Sequence, residues 1–170
     1  MAGPNPLLDA PGMAIARERV EARLREAVQT SDPALTEMAS HLIVAGGKRQ
    51  RPLFAVAGAA AEADDVTGER LADAVTGGVA VELVHIGSLY HDDVIDEAPT
   101  RRTVESVNAR WGNLRAILAG DFLLARASEL AASLGTEVAG LLAATIGRLC
   151  EGEVRELDRA YQPDRSEADS

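Results

Sequence analysis

Aromatic residues are scarce: two phenylalanines, two tyrosines and one tryptophan supply 3% of 170 residues, although 46% are hydrophobic. A core drawn from that pool must rest on alanine, leucine and valine, which suits close-packed helices better than sheets. The single cysteine, Cys150, excludes an intramolecular disulfide and fits a reducing, cytoplasmic compartment. It is expected as a small buried residue of the last helix. Positive charge is also in short supply, since 17 Lys and Arg face 27 Asp and Glu for a net charge of -10. That balance argues against nucleic acid or an anionic membrane as a general partner, so any phosphate site must be local. No run reaches about 18 uninterrupted apolar residues, which excludes an ordinary transmembrane helix. No segment alternates apolar and polar residues as a half-buried strand does, and no fixed-period repeat is present.

What remains is helical punctuation. Residues 1–12, with three prolines and no basic flank or apolar core, read as a flexible leader rather than a signal peptide. The main domain is placed at 13–157 and a polar tail at 158–170. The first helix is expected from Met13 to Val28. Ser31-Asp32-Pro33 looks like a capped restart, with proline in the first turn, for a second helix ending at Gly46-Gly47. A third helix is expected from Pro52 to Ala63, and Asp64 to Gly68 reads as a turn and cap. The next helix starts near Glu69, with an interruption expected around Gly77-Gly78, and reaches the aspartate cluster. Ala98-Pro99-Thr100 breaks the chain. Further helices are expected over Ser106–Trp111, Leu114–Leu134 and Glu137–Leu157. The fold class is all-α.

Chemistry concentrates at the end of the fourth helix, where an apolar run ends in His91-Asp92-Asp93-Val94-Ile95-Asp96. Carboxylates at a helix C-terminus face the negative end of the macrodipole and call for a compensating cation. Asp92 and Asp96 share a face, with Asp93 beside them, and such hard oxygens suit Mg²⁺ bridged to a substrate phosphate. A second block is Gly46-Gly47-Lys48-Arg49-Gln50-Arg51-Pro52. By itself it reads first as a helix C-cap with solvated basic side chains, and otherwise as a local anion site. It lacks the spacing of a Walker loop. Arg101 and Arg102 either pair with the aspartates or grip a diphosphate bridged to the metal. His85 lies two helical turns before Asp92, which makes it a core histidine or a ligand contact. His91 reads as a polar neighbour and His41 as structural.

Together these blocks resemble the trans-isoprenyl diphosphate synthases, or polyprenyl synthetases. The resemblance runs through the glycine-lysine-arginine block, Val81-Glu82-Leu83-Val84-His85 to Asp96, and Arg101-Arg102. Asn108-Ala109-Arg110-Trp111-Gly112 and Ala116-Ile117-Leu118-Ala119-Gly120-Asp121 follow in the family's order. It implies a helical bundle of the isoprenoid synthase type, of which this chain would be about the first half. The implied reaction ionises an allylic prenyl diphosphate, and isopentenyl diphosphate then attacks the carbocation. By that resemblance Asp92, Asp93 and Asp96 hold Mg²⁺ and Arg101 binds the allylic diphosphate. Lys48, Arg51, His85 and Arg102 bind that of isopentenyl diphosphate. Gly87 and Ser88, small residues before the aspartates, would leave the product channel open and favour a long chain. A homodimer or hetero-oligomer is the expected assembly.

Departures from the pattern are equally specific. Family members are much longer, and no second aspartate-rich motif follows Glu151, since Glu153, Glu156 and Asp158 do not form one. Glu153 stands where many relatives have glutamine, and Thr103 follows Arg102 where glycine is commoner. A non-catalytic remnant or subunit is therefore the alternative expectation. A remote one is an HD-type metal phosphohydrolase, which His91-Asp92 also resembles.

Overall fold

The computed structural model describes residues 12–61 and 68–160; the leader up to Pro11, most of the Asp64 to Gly68 turn and the tail beyond Ala160 lie outside them. Among the described residues seven helices follow one another: α1 (Met13–Ala27), α2 (Pro33–Val44), α3 (Gln50–Ala61), α4 (Gly68–Ile95), α5 (Val107–Trp111), α6 (Asn113–Ser133) and α7 (Thr136–Ala160). Asp32 caps α2 as its spacing predicts, its Oδ1 accepting from the amides of Ala34 at 2.8 Å and Leu35 at 3.2 Å. Pro33 occupies the first turn, where its missing N–H costs nothing. No helix among the described residues is long and apolar enough to cross a membrane.

The helix α4 is the axis of the bundle, with α1, α3 and α6 packed around it. Its Val79, Leu83, Ile86 and Tyr90 are fully buried, joined by Val20 and Leu24 of α1, Leu53 of α3 and Ala119 and Leu123 of α6. Tyr90 also ties α2 to this axis, donating its hydroxyl to the Met38 carbonyl at 2.7 Å. Small side chains bring the helices close, which is how a core with few aromatics closes.

Two expectations about the backbone are corrected here. The Gly77-Gly78 pair does not interrupt α4, which runs unbroken for 28 residues. Gly78 is instead a packing device: a Cβ there would lie 2.7 Å from the Cα of Pro52, so α3 crosses directly on the glycine. The chain is also not wholly without strands. Thr100–Arg101 and Val104–Glu105 form a two-residue antiparallel hairpin, too short to show any alternation. Its turn residues, Arg102 and Thr103, have φ of 51° and 67°. A two-residue hairpin turn with both φ positive matches strand twist but favours glycine or asparagine. This gives a physical reason for glycine at position 103, since β-branched threonine is poorly suited to that backbone.

Cys150 is exposed rather than buried. Among the described residues the helix α7 rests chiefly on α6 and one side of α4, and none of its described residues is fully buried. Leu141 and Val154 are 65% and 56% exposed, and on α6 Leu114 and Leu118 are 72% and 56% exposed, so this side of the bundle carries uncovered apolar surface.

The two neighbouring glycines should respond oppositely to a methyl group. Gly78→Ala should destabilise the fold by about 1–3 kcal/mol through overpacking against Pro52. Gly77→Ala, whose new Cβ would find only Leu134 Cδ1 at an ordinary 3.5 Å, should stabilise it by about 0.5–1 kcal/mol. Chemical denaturation of the two variants measures both signs.

Candidate active site

The continuous α4 borders three cavities, a cationic one beside an apolar cleft and an acidic one at the end of that cleft. The first, of about 360 Å³, lies under the glycine loop between α2 and α3 and is lined by Lys48, Arg51, His85 and Arg102, with Glu82 at its base. The second, of about 330 Å³, is the apolar cleft between α4 and α7. Gly77, Ala80, Val81, Val84 and Ser88 form one wall and Val138, Leu141, Leu142 and Leu149 the other. Arg51 and His85 border both cavities. The third, also about 330 Å³, sits at the C-terminus of α4 and holds Asp92, Asp96 and Arg101, facing Glu153 and Glu156 of α7. Ser88 and Asp92 are one helical turn apart, so the acidic cavity opens at the end of the apolar one.

The three aspartates, alike in sequence, are not alike in place. Asp92 and Asp96 open to the acidic cavity. Asp93 is fully buried and turned into the bundle, its Oδ1 accepting from Arg101 Nε at 2.7 Å and Nη2 at 2.5 Å. Asn108 closes the same corner by donating from Nδ2 to the carbonyls of Asp93 at 3.0 Å and Ala98 at 3.2 Å. Arg101 thus provides the cation that the acidic helix end requires, and its charged form is favoured by Asp93 above all. Burial raises the pKa of Asp92, and the negative charges of Glu153, Asp96 and Asp93 add to it against Arg101. Among the described residues no three His, Cys, Asp or Glu side chains gather as a ready-made metal cluster.

The donor set nevertheless fits Mg²⁺, which binds through one or two carboxylates plus substrate phosphate oxygens. Asp92 and Asp96 are such a pair, on one face, in a cavity where negative charge is in excess.

The cationic cavity is assembled from three elements. Lys48 and Arg51 project from the glycine loop and the start of α3, and both are exposed. Arg102 reaches back from the hairpin, donating from Nη1 to the carbonyls of Leu42 at 3.2 Å and Gly46 at 2.5 Å, the free end of α2. Gly47 must be glycine-sized, because a Cβ would sit 3.0 Å from the guanidinium nitrogens of Arg102 and Arg49. Burial lowers the pKa of His85 to about 4, helped by the charges of Arg51, Arg102 and Arg101. His85 therefore enters this cavity as a neutral imidazole.

Other expected residues are placed differently. Ser88 lines the apolar cleft, but Gly87 does not: it packs on α6, where a Cβ would meet the Gly120 carbonyl at 3.1 Å. The side chain of His91 also turns to α6, its Nε2 lying 3.3 Å from the Ile117 carbonyl and 3.3 Å from Asp121 Oδ1. With the His91 side chain turned to α6 and Asp92 in the acidic cavity, the pair cannot serve one metal cluster as a phosphohydrolase requires. His41 is structural, its Nε2 bonded to the Glu105 carbonyl at 2.7 Å and its ring edge-on to Trp111. Three contributors were assigned no role from the sequence: Asn108, the buried Glu82, and Glu156 on α7. For Glu82 a signal existed, a lone carboxylate one turn before His85 in an otherwise apolar run.

An all-helical scaffold thus carries a cationic cavity and a carboxylate pocket around one apolar cleft. The polyprenyl synthetase family profile matches residues 32–169. The chain belongs to that family. It is 45% identical over 139 residues to the nonaprenyl diphosphate synthase of Mycobacterium tuberculosis, covering 81% of this chain and 40% of that protein. It is 42% identical over 147 residues to heptaprenyl diphosphate synthase component 2 of Geobacillus stearothermophilus, covering 86% and 44%. Its fold matches a Caulobacter crescentus polyprenyl synthase, solved with calcium and isoprenyl diphosphate, with TM-score 0.84 and 34% identity over 95% of this chain and 48% of that one. The chain spans less than half the length of the curated relatives it matches.

His85 offers a direct check on the electrostatics of the site. Between about pH 4 and 6.5 the unfolded chain binds a proton here and the native chain does not. The stability tied to neutral His85 is therefore complete above 6.5 and is lost as the pH falls through that window. An NMR titration should show the imidazole unprotonated at pH 5, and His85→Gln should flatten the acid limb of the stability curve. Titration near 6.5 would contradict the placement.

Proposed function

We propose that this chain forms the substrate-gripping part of a prenyltransferase that condenses isopentenyl diphosphate with an allylic prenyl diphosphate to build a long polyprenyl diphosphate. The observation that carries this reading is the order of the three cavities along α4. Asp92 and Asp96 stand at one end of an apolar cleft whose α4 wall, from Ser88 back to Gly77, is about 16 Å long at helical rise. An allylic diphosphate can lay its head on the carboxylate side and its tail along that wall. The cationic cavity opens beside the cleft at Arg51 and His85, where a second diphosphate would sit within reach of the first substrate.

Bond breaking in this reaction separates an allylic carbocation from pyrophosphate, and the alkene of isopentenyl diphosphate then attacks the cation before a proton is lost. Bound Mg²⁺, held by Asp92 and Asp96, would supply positive charge to the leaving pyrophosphate. Arg101 adds a guanidinium at the same place, pre-oriented by Asp93 so that no reorganisation is needed when charge develops. In this assignment Asp93 positions Arg101, and the metal carboxylates are Asp92 and Asp96. Lys48, Arg51 and Arg102 hold the diphosphate of isopentenyl diphosphate, and neutral His85 adds a hydrogen bond without further charge. The Val and Leu walls of the cleft keep water from the carbocation. Support comes from relatives named as nonaprenyl and heptaprenyl synthases and from a neighbour solved with calcium and isoprenyl diphosphate.

The uncovered apolar surfaces of α6 and α7 support assembly with further protein, as a homodimer or a hetero-oligomer, and one relative is itself named as a component. The same observation favours a second reading, a subunit that binds substrates without completing the reaction alone.

Incubation of the chain with farnesyl diphosphate, labelled isopentenyl diphosphate and Mg²⁺ separates these outcomes. Labelled prenyl product should form, and Asp92→Ala should reduce it about 100-fold or more. Binding of both substrates without product would assign the subunit role, and folded protein that binds neither would overturn the proposal. The cleft is tested separately with thiolodiphosphate analogues. Ser88→Phe should weaken the farnesyl analogue at least about tenfold, by excluding buried methylenes, and leave the dimethylallyl analogue unchanged.

A further inference from the structure

The basic block contains one residue that borders the cationic cavity but spends its side chain on protein partners. Arg49, between Lys48 and Arg51, has a fully buried side chain. Its Nε donates to Glu21 Oε1 of α1 at 2.7 Å and its Nη2 to Glu21 Oε2 at 3.4 Å. Its Nη1 donates to Glu82 Oε1 of α4 at 3.3 Å, and Nη2 also reaches the Ile43 carbonyl of α2 at 2.8 Å. One guanidinium therefore ties the loop to three helices. We propose that Glu21, Arg49 and Glu82 are positioning residues that hold the glycine loop so that Lys48 and Arg51 converge on one diphosphate. The inference rests on reading the cationic cavity as a diphosphate site.

Three further observations support it. The loop is not self-supporting: Gly46 has φ 89° and Arg49 φ 50°, and an L side chain seldom takes the latter unless the surroundings impose it. The guanidinium of Arg49 also lies beside that of Arg102, both bordering the space where a Gly47 Cβ would be. Burial above all, and then the charge of Arg49, disfavours the charged form of Arg102, while Glu82 favours it. Without the carboxylates the buried guanidinium of Arg49 and the half-buried one of Arg102 would repel, and the hairpin would part from the loop. Finally, Glu21 and Glu82 use the positive charge of Arg49 locally. Lys48, Arg51 and Arg102 are then the cations presented to the cavity, and their spacing is set from α1, a helix that does not line it.

Glu21 separates positioning from simple charge, because the two give opposite signs. Removing a carboxylate near an anion site strengthens anion binding if only charge matters. Removing a tether weakens it. Binding of inorganic pyrophosphate without Mg²⁺ is measured by calorimetry on the 170-residue chain, alongside hydrogen exchange of the Gly46 to Gln50 amides. Glu21→Ala should weaken pyrophosphate about tenfold or more, the scale of a supporting group that lets a binding group drift. Glu21→Gln, which keeps an acceptor for Arg49, should rescue binding to within about threefold on the same scale. Loop amides should exchange faster in Glu21→Ala, with α6 and α7 unchanged. Equal or tighter binding in Glu21→Ala, or unchanged loop exchange, would overturn the proposal. If Glu21→Ala does not fold, Glu21→Asp, one methylene shorter, is held to the same exchange result. Absence of pyrophosphate binding by the unaltered chain would refute the diphosphate reading of the cavity, and the exchange contrast would still decide the tether.

Discussion

The continuity of α4 is the constraint on which the site depends. A single helix running from Gly68 to Ile95 has a fixed rise and a fixed turn, so Gly77, His85, Ser88, Asp92 and Asp96 keep their spacing without help from loops. Two close approaches keep that helix seated. Pro52 of α3 lies against Gly78, and α6 brings its Gly120 carbonyl against Gly87. A kink at the glycine pair would turn the far end of the apolar cleft away from the rest of its α4 wall. The scarcity of aromatic residues is consistent with this arrangement, because a core of alanine, valine and leucine lets neighbouring helices approach closely.

Charge is sorted with equal care in a protein that carries an excess of acid. Carboxylates gather where α4 presents the negative end of its dipole, which costs stability, and Arg101 makes its direct ion pair with Asp93. Asp92 is left with its pKa raised, in a cavity shared with Asp96, Glu153 and Glu156. The scarce cations collect around the glycine loop and the hairpin instead. In both groups neighbours of one chemical type divide the work by burial: Asp93 supports while Asp92 and Asp96 are presented, and Arg49 supports while Lys48 and Arg51 are presented. The hairpin links the two groups, since Arg101 faces the acidic cavity and Arg102 the cationic one.

Much of this was legible in the chain. The Asp32-Pro33 restart and the break at Pro99 mark real boundaries because capping and proline chemistry are local. The motif blocks supply Lys48, Arg51 and His85 to the cationic cavity and Asp92 and Arg101 to the acidic one. What escaped depends on contacts between distant residues. Gly77-Gly78 looks like an interruption until Pro52, far away in sequence, is seen to require it. Pairing of an arginine with the aspartates was foreseeable, but that Arg101 returns to Asp93 depends on the hairpin. His41 bonds to a backbone carbonyl, which no residue type advertises. Cys150 looks buried because α7 is apolar along one face, but among the described residues it is chiefly α6 and α4 that pack against that helix.

The most direct test of the account is a crystal structure of the chain with Mg²⁺ and farnesyl thiolodiphosphate. The diphosphate should lie against Asp92, Asp96 and Arg101, with the farnesyl tail passing Ser88 towards Gly77 between α4 and α7. Asp93 should remain bonded to Arg101. A tail outside that cleft, or an allylic diphosphate held only by Lys48 and Arg51, would contradict the ordering of sites along α4.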